Sequence, residues 1–192
     1  IRFETDKSLP EEGYRLDVTA KGITIVSATP AGKYYGVQTL LQLFPSEVYS
    51  GEHLRLKEYS MEIVTVEDAP RFGYRGFMLD VSRTFFELDY LKRYIDWMSF
   101  HKLNKLHLHL TDDNGWRIEI KKYPELTRKG AWRGKNELIP PTYLSGSERY
   151  GGYYTQKEMK ELITYAQQRN VMIIPEFDLP GHALSSTAVF GN

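Results

Sequence analysis

The chain has 192 residues, of which 41% are hydrophobic and 14% aromatic, enough for a sizeable core in one domain or in two small ones. Lysine plus arginine equals aspartate plus glutamate at 25 each, so the net charge favours neither nucleic acid nor an anionic membrane as partner. The absence of cysteine excludes disulfides and thiolate sites, and no apolar stretch is long enough to span a membrane.

The first part of the chain has the pattern of a small α+β domain. Residues 14–26 alternate apolar and polar positions on either side of a tight turn, which predicts a β-hairpin. Pro30 favours the start of a helix, and residues 61–66 alternate again as in a further strand. The apolar stripe of that helix is Val37, Leu40, Leu41 and Phe44. We therefore predict a non-catalytic α+β domain over residues 1–68, without a cluster of titratable groups.

A strand, a helix and a second strand follow. The apolar run at residues 77–81 predicts a strand that is buried on both faces, and the second strand alternates leucine with histidine. The helical stripe between them is Leu91, Tyr94, Ile95 and Met98. Parallel strands joined by a right-handed crossover have their carboxyl ends at the same edge of the sheet. Arg83 and Asp112 are therefore expected to face each other.

The remaining elements continue the alternation of strands and helices. Residues 116–120 predict a short strand, and residues 121–153 predict a long loop of the kind that forms a lid or a binding wall. Thr155 and Glu158 have the spacing of a capping box at the start of another helix. The apolar stripe of this helix is Met159, Leu162, Ile163 and Ala166. Residues 171–174 predict a third buried strand.

Polar residues follow the carboxyl end of each of the three strands. An α/β barrel builds its active site in this way, although an open doubly wound sheet would give a similar pattern at this length. A complete eight-fold barrel takes about 250 residues. Residues 69–192 are therefore expected to form only the first part of such a barrel.

Four of the residues near the strand ends are candidates for chemistry. Arg83 offers paired donors that suit adjacent sugar hydroxyls, a carboxylate or a phosphate, although its position alone favours a salt bridge at the rim. Successive side chains of a strand alternate in direction, so Asp112 and Asp113 are expected to have different roles, and Asp113 is expected to cap the turn at Asn114-Gly115. His182 is expected to pair with a carboxylate, for which Asp112 is the candidate.

His107 and His109 support a different hypothesis, because their spacing is also that of metal ligands. In this alternative, neutral imidazoles bind zinc in a metal-dependent barrel hydrolase. The further candidate ligands are Asp112, Glu176, Asp178 and His182. Histidines this deep in a barrel more commonly bond to a neighbouring side chain, so we expect a site with neither metal nor other cofactor.

Several stretches of the chain carry a family resemblance. They are RGFMLDVSRTFF, KLHLHLTDDNGWRIEI, GAWR, YGGYYTQKEMKELITYAQQRNVMIIPEFDLPGHA and, upstream, GYRLDVTAKGITIVSATPAGKYYGVQTLLQLF. The first four resemble glycoside hydrolase family 20, the β-N-acetylhexosaminidases, and the last resembles the domain that precedes their barrel. The resemblance covers nearly the whole chain in order, and it implies an α/β fold with a partial (β/α)8 TIM barrel after a small α+β domain.

The resemblance also implies roles for five residues. Arg83 falls on the arginine that holds hydroxyls of the terminal sugar, and Asp112 and His182 fall on members of the catalytic hydrogen-bond network. Glu176 and Asp178 match acids at a strand end that have a supporting role. The implied activity is removal of terminal N-acetylhexosamine from β-linked glycans with retention of configuration, the acetamido oxygen of the substrate being the nucleophile.

The family's proton donor belongs to an Asp-Glu pair after the fourth barrel strand, which the resemblance puts beyond this sequence. The chain is therefore expected to need the rest of the barrel and to be inactive alone, with a non-catalytic carbohydrate-binding fragment as a further alternative. Its expected partner is an oligosaccharide or glycoconjugate with a terminal N-acetylhexosamine. The family favours a secreted or periplasmic location, although the sequence leaves the compartment, the linkage and the gluco or galacto preference open.

Overall fold

A computed structural model describes residues 1–49, 60–142 and 145–191. Parts of the predicted α+β domain and of the predicted long loop, as well as Asn192, lie outside the described residues. The chain divides into two compact units, one formed by Ile1–Gly73 with Phe100–Lys102 and the other by Tyr74–Ser99 with Leu103–Asn192. Among the described residues, no helix has the length and apolar character needed to cross a membrane.

The first unit contains a four-stranded sheet. Its strands are β1 (Arg2–Thr5), β2 (Tyr14–Thr19), β3 (Gly22–Ser27) and β4 (Val64–Asp68), in the order β1-β3-β2-β4. β2 and β3 form the predicted antiparallel hairpin, and β4 pairs with the other side of β2. β1 pairs parallel with β3, and no sequence pattern indicated it.

One α-helix, α1 (Pro30–Gln42), packs on this sheet, and a 3-10 turn (Ser46–Tyr49) follows it. Thr29 caps the helix by accepting a hydrogen bond from the N–H of Gly32 at 3.2 Å. The predicted apolar stripe is only partly correct: Leu40 is buried and Val37 packs against the core, but Leu41 is only half-buried and Phe44 lies beyond the end of the helix. The buried face contains two glycines, Gly32 and Gly36. At Gly36 a Cβ would lie 2.6 Å from Ile25, so the glycines let the helix approach the sheet closely.

The second unit contains the predicted alternation of strands and helices, but the strand predicted at residues 116–120 is only Gly115–Trp116, and short elements lie within the predicted loop at residues 121–153. Its elements are β5 (Gly76–Asp80), α2 (Leu88–Phe100), β6 (Lys105–His109), β7 (Thr111–Asp112), β8 (Gly115–Trp116), α3 (Glu125–Arg128), β9 (Trp132–Arg133), β10 (Tyr150–Gly151), α4 (Gln156–Gln167), β11 (Met172–Glu176) and α5 (Leu184–Phe190). β5, β6 and β11 form a parallel sheet in the order β11-β6-β5. The register puts Asp80, His109 and Glu176 side by side at its carboxyl edge.

The hydrophobic core of this unit lies between the parallel sheet and the helices α2 and α4. The buried members are Val81, Leu91, Ile95, Met98, Leu106, Leu108, Leu110, Tyr154, Met159, Leu162, Ala166 and Val171. The predicted helical stripes supply half of them, although Ile163 is 40% exposed. The predicted capping box is present, since Thr155 and Glu158 each bond the other's backbone N–H.

Burial of β5 on both faces was predicted wrongly. Phe77 and Met78 are each 50% exposed. β5 is an edge strand of the sheet, so β6 covers it on one side only. An apolar run indicates a strand but does not distinguish a central strand from an edge strand, because that depends on the neighbour.

Arg117 links the segments around the carboxyl edge of the sheet by hydrogen bonds to their backbone carbonyl groups. Its guanidinium is fully buried and donates to the carbonyl oxygens of Val81, Ser82, Asn114, Ala131 and Gly152 at 2.6–3.4 Å. Burial lowers the pKa of Arg117 to about 10, and the positive charge of Arg133 adds to the effect. A Cβ on Gly115 would lie 2.2 Å from the guanidinium carbon, so this close approach requires glycine.

Replacing Arg117 by Met should lower the free energy of unfolding by about 2–3 kcal/mol, because several buried carbonyl groups would lose their donor. Urea unfolding measures the difference. The matched control is Arg128→Met, which removes a guanidinium whose side chain is 70% exposed and that pairs with Glu125, and it should cost less than about 0.5 kcal/mol. Equal losses in the two variants would contradict a structural role for the buried guanidinium.

Candidate active site

Asp112 is the centre of a polar cluster at the carboxyl edge of the parallel sheet. β7 and β8 pair as a tight hairpin that carries Asp112, whose side chain is only 2% exposed. Its Oδ2 lies 2.5 Å from Nη2 of Arg83 and 2.9 Å from Nε2 of His109. Its Oδ1 accepts the N–H of Asp113 at 2.6 Å and lies 3.4 Å from Nδ1 of His182. The structure thus brings Arg83, Asp112 and His182 together.

Arg83 is held by the turn that follows β5. Asp80, the last residue of that strand, accepts the N–H groups of Ser82 and Arg83 at 3.0 and 2.9 Å with one carboxylate oxygen. Its other oxygen accepts from Nη1 of Arg83 at 2.6 Å. The guanidinium therefore bridges Asp80 and Asp112, and its side chain stays 34% exposed.

His182 lies on the loop between β11 and α5. Its φ of 51° lies in the left-handed region, which is unfavourable for residues other than glycine. The His182 side chain is 58% exposed. Asp113 accepts the N–H of Leu184, the first residue of α5, at 3.0 Å. The predicted cap of the Asn114-Gly115 turn is therefore wrong, because Asp113 instead holds the loop that carries His182.

His109 and Glu176, at the carboxyl ends of β6 and β11, extend the cluster from Asp112. Oε2 of Glu176 lies 2.9 Å from Nδ1 of His109 and 2.7 Å from Nε2 of His107. Asp178 is further along the same strand end, where its backbone N–H donates to Thr111 at 3.0 Å. Charges of opposite sign therefore alternate from Asp80 through Glu176.

The pKa values of these groups reflect the mutual hydrogen bonds. Burial alone would raise the pKa of Asp112, but the bonds from His109 and from the N–H of Asp113, with the charge of Arg83, outweigh it and lower this pKa. For Glu176, burial is likewise outweighed by the bond and charge of His109, so its pKa is lowered. Burial would lower the pKa of His109, but its bonds to the two carboxylates raise it. The cluster therefore favours two carboxylates and one imidazolium.

Two groups of three potential metal ligands lie close together among the described residues. They are His109, Glu176 and Asp178, and Asp112, Asp113 and His182, with ligand atoms within 4.8 Å of one another in each group. A histidine binds a metal through a neutral ring nitrogen that has a free lone pair. Both nitrogens of His109 face carboxylates instead. The positive charge of Arg83 already neutralises the carboxylate of Asp112. The donor set fits a hydrogen-bonded ion network better than a metal centre.

The sequence reasoning overlooked two members of this cluster. Asp80 ends the first parallel strand, and the same strand-end argument that selected Arg83 would have identified it. His109 was considered only as a metal ligand or a core residue, because its contact with Asp112 depends on the β7–β8 hairpin, which the sequence did not predict.

Comparison with known proteins identifies the family. The model of glycosyl hydrolase family 20, catalytic domain, matches residues 72–191, and that of domain 2 of the same family matches residues 1–69. A beta-hexosaminidase of Porphyromonas gingivalis is 42% identical over 99% of this chain, and one of Vibrio furnissii is 43% identical over 95% of it.

Solved structures agree with these matches. The crystal structure of a GH20 exo beta-N-acetylglucosaminidase from Vibrio harveyi, in complex with N-acetylglucosamine, is 41% identical over 98% of this chain, with a TM-score of 0.91. The chain spans 23% and 29% of the two curated relatives and 28% of that structure's chain. The predicted family and the predicted α/β fold, a partial barrel after a small α+β domain, are confirmed. The chain belongs to glycosyl hydrolase family 20.

Proposed function

We propose that this chain is part of a β-N-acetylhexosaminidase that removes terminal, non-reducing N-acetylhexosamine residues from β-linked glycans. The observation that carries the proposal is the convergence of Arg83 and His182 on the buried carboxylate of Asp112 at the strand ends. The substrate would be an oligosaccharide or glycoconjugate. In the following experiments, the full-length protein means the whole polypeptide to which this chain belongs.

The proposed reaction retains the configuration of the anomeric carbon and is assisted by the substrate. The acetamido oxygen attacks the anomeric carbon as the glycosidic bond breaks, and the departing oxygen takes a proton from an acid. Water then opens the resulting oxazolinium ring. In this proposal the acid belongs to an Asp-Glu pair in the continuation of the barrel, so the isolated chain is inactive.

The proposed residue roles follow from the contacts. Arg83 is one-third exposed and holds hydroxyls of the terminal sugar, while Asp80 fixes its orientation. Asp112 and His182 connect the network to the acid. Glu176 and Asp178 support it from the adjacent strand end. Residues 69–192 would belong to the catalytic barrel and residues 1–68 to a non-catalytic domain.

Fluorinated substrates test the proposed mechanism in the full-length protein. Fluorine on the acetamido methyl group withdraws electrons from the acetamido oxygen, so kcat/KM for a chromogenic β-N-acetylglucosaminide should fall with each added fluorine. The corresponding β-glucoside, which has no acetamido group, should not be hydrolysed. A rate that is insensitive to fluorination would contradict substrate assistance, and loss of activity with a chelator would favour the metal-dependent alternative.

A further inference from the structure

His109 occupies the central position at the carboxyl edge of the parallel sheet. It lies on β6, between β5 and β11, and the register pairs it with Asp80 on one side and with Glu176 on the other. Its side chain is only 7% exposed. Because β6 is flanked by strands on both sides, this imidazole has little freedom to move away from its partners.

Both ring nitrogens of His109 face carboxylate oxygens. Nε2 lies 2.9 Å from Oδ2 of Asp112, and Nδ1 lies 2.9 Å from Oε2 of Glu176. An ionised carboxylate can only accept hydrogen bonds, so two such contacts require a proton on each nitrogen. The geometry therefore corresponds to an imidazolium that is shared by two anions, and the raised pKa of His109 agrees with it.

The His109 imidazolium helps to determine the orientation of the Asp112 carboxylate. Oδ2 of Asp112 is shared by Arg83 and His109, whereas Oδ1 is directed to the N–H of Asp113 and to His182. A carboxylate that is fixed at one oxygen by two cations has a defined orientation for its other oxygen. His182 is then paired with a carboxylate whose position and negative charge are fixed.

We propose that His109 is a positioning residue that keeps Asp112 ionised and aimed at His182, by holding Asp112 to Glu176 across the strand ends. This inference rests on the proposed function, because it assigns His109 to the same catalytic network. Among the described residues, the charged and titratable groups that face His109 or its partners Asp112 and Glu176 include Asp80, Arg83, His107, Asp113, Asp178 and His182. Because these groups titrate, the influence of His109 on the ionisation of Asp112 should depend on pH.

The test is His109→Gln in the full-length protein, because Gln has a similar reach but carries no charge and cannot donate in two opposite directions. We expect kcat/KM to fall on the order of 10- to 100-fold, as for the loss of a hydrogen bond to a charged group. The loss should lie mainly in kcat. The acid limb of the pH profile of kcat/KM should also move to higher pH, because Asp112 loses a cation that lowers its pKa.

The matched control is His107→Gln, since His107 lies on the same strand and bonds the same Glu176 but does not touch Asp112. It should cause a much smaller loss and leave the acid limb in place. Glu176→Gln gives a second variant that leaves His109 itself intact. It should move the acid limb in the same direction as His109→Gln, by a smaller amount, because His109 can still donate to Asp112.

Unchanged kcat and an unchanged acid limb in His109→Gln would overturn the inference. A loss of activity without movement of the acid limb, in both His109→Gln and Glu176→Gln, would also overturn it, because a purely structural role predicts that result. Wild-type protein that does not hydrolyse the β-N-acetylglucosaminide would instead refute the proposed function. The wild-type measurement therefore separates the two failures.

Discussion

Replacing Asp112 by Asn in the full-length protein should cost about 3–5 kcal/mol of transition-state stabilisation, which is a fall in kcat/KM of roughly a hundredfold to a few thousandfold. The substitution keeps the size of the side chain but removes its charge. Arg83 and His109 would then lose the carboxylate that both contact. If the amide N–H₂ of the asparagine faced them, donor groups would point at donor groups. Steady-state kinetics with a chromogenic β-N-acetylglucosaminide measure the loss.

Asp113→Asn is the matched control for this prediction. It makes the same chemical change at the adjacent position, and its amide oxygen can still accept the N–H of Leu184. We expect a loss at least tenfold smaller than that of Asp112→Asn, since one hydrogen bond is weakened rather than an ion network broken. If the two variants lost similar activity, or if Asp112→Asn remained active, Asp112 would not be the centre of the site.

Replacing Arg83 by Ala should cost about 3–6 kcal/mol of transition-state stabilisation, because two or more charge-assisted hydrogen bonds disappear. Arg83→Lys should recover little of this loss. A lysine ammonium keeps the charge, but it lacks the planar fork that bridges Asp80 and Asp112. The measurement is kcat/KM for both variants.

Deoxy substrates can separate sugar binding from a structural role of Arg83. Each analogue lacks one hydroxyl of the terminal sugar, and the cost of that deletion is measured in wild type and in Arg83→Ala. If Arg83 holds a hydroxyl, its deletion should be costly in wild type and nearly neutral in the variant. Equal costs in both proteins would reject Arg83 as a substrate ligand. Arg128→Ala, at the exposed pair with Glu125, is the control for loss of an arginine.

Much of the fold could be predicted because the sequence repeats a simple pattern. The alternation of Leu106, Leu108 and Leu110 with polar residues identified the central strand, and the capping box identified the start of α4. The strand-end argument also selected Arg83 and Asp112, since the carboxyl ends of parallel strands meet at one edge. These predictions use only local periodicity and the handedness of crossovers.

The remaining features depend on contacts that are distant in the sequence. Arg117 finds its carbonyl partners in segments up to 36 positions away, and Asp113 bonds Leu184 across 71 positions. No local pattern encodes such pairs. The same limitation explains why His109 was assigned to a metal or to the core, since its partner Glu176 is on another strand.

Phe77 and Met78 are half-exposed on the edge strand β5. On the opposite edge, Met172 of β11 is 56% exposed as well. Apolar side chains beside unpaired backbone groups are a template for intermolecular strand pairing. When it is expressed by itself, the chain should therefore tend to aggregate, and surfaces that cover both edges should improve its solubility.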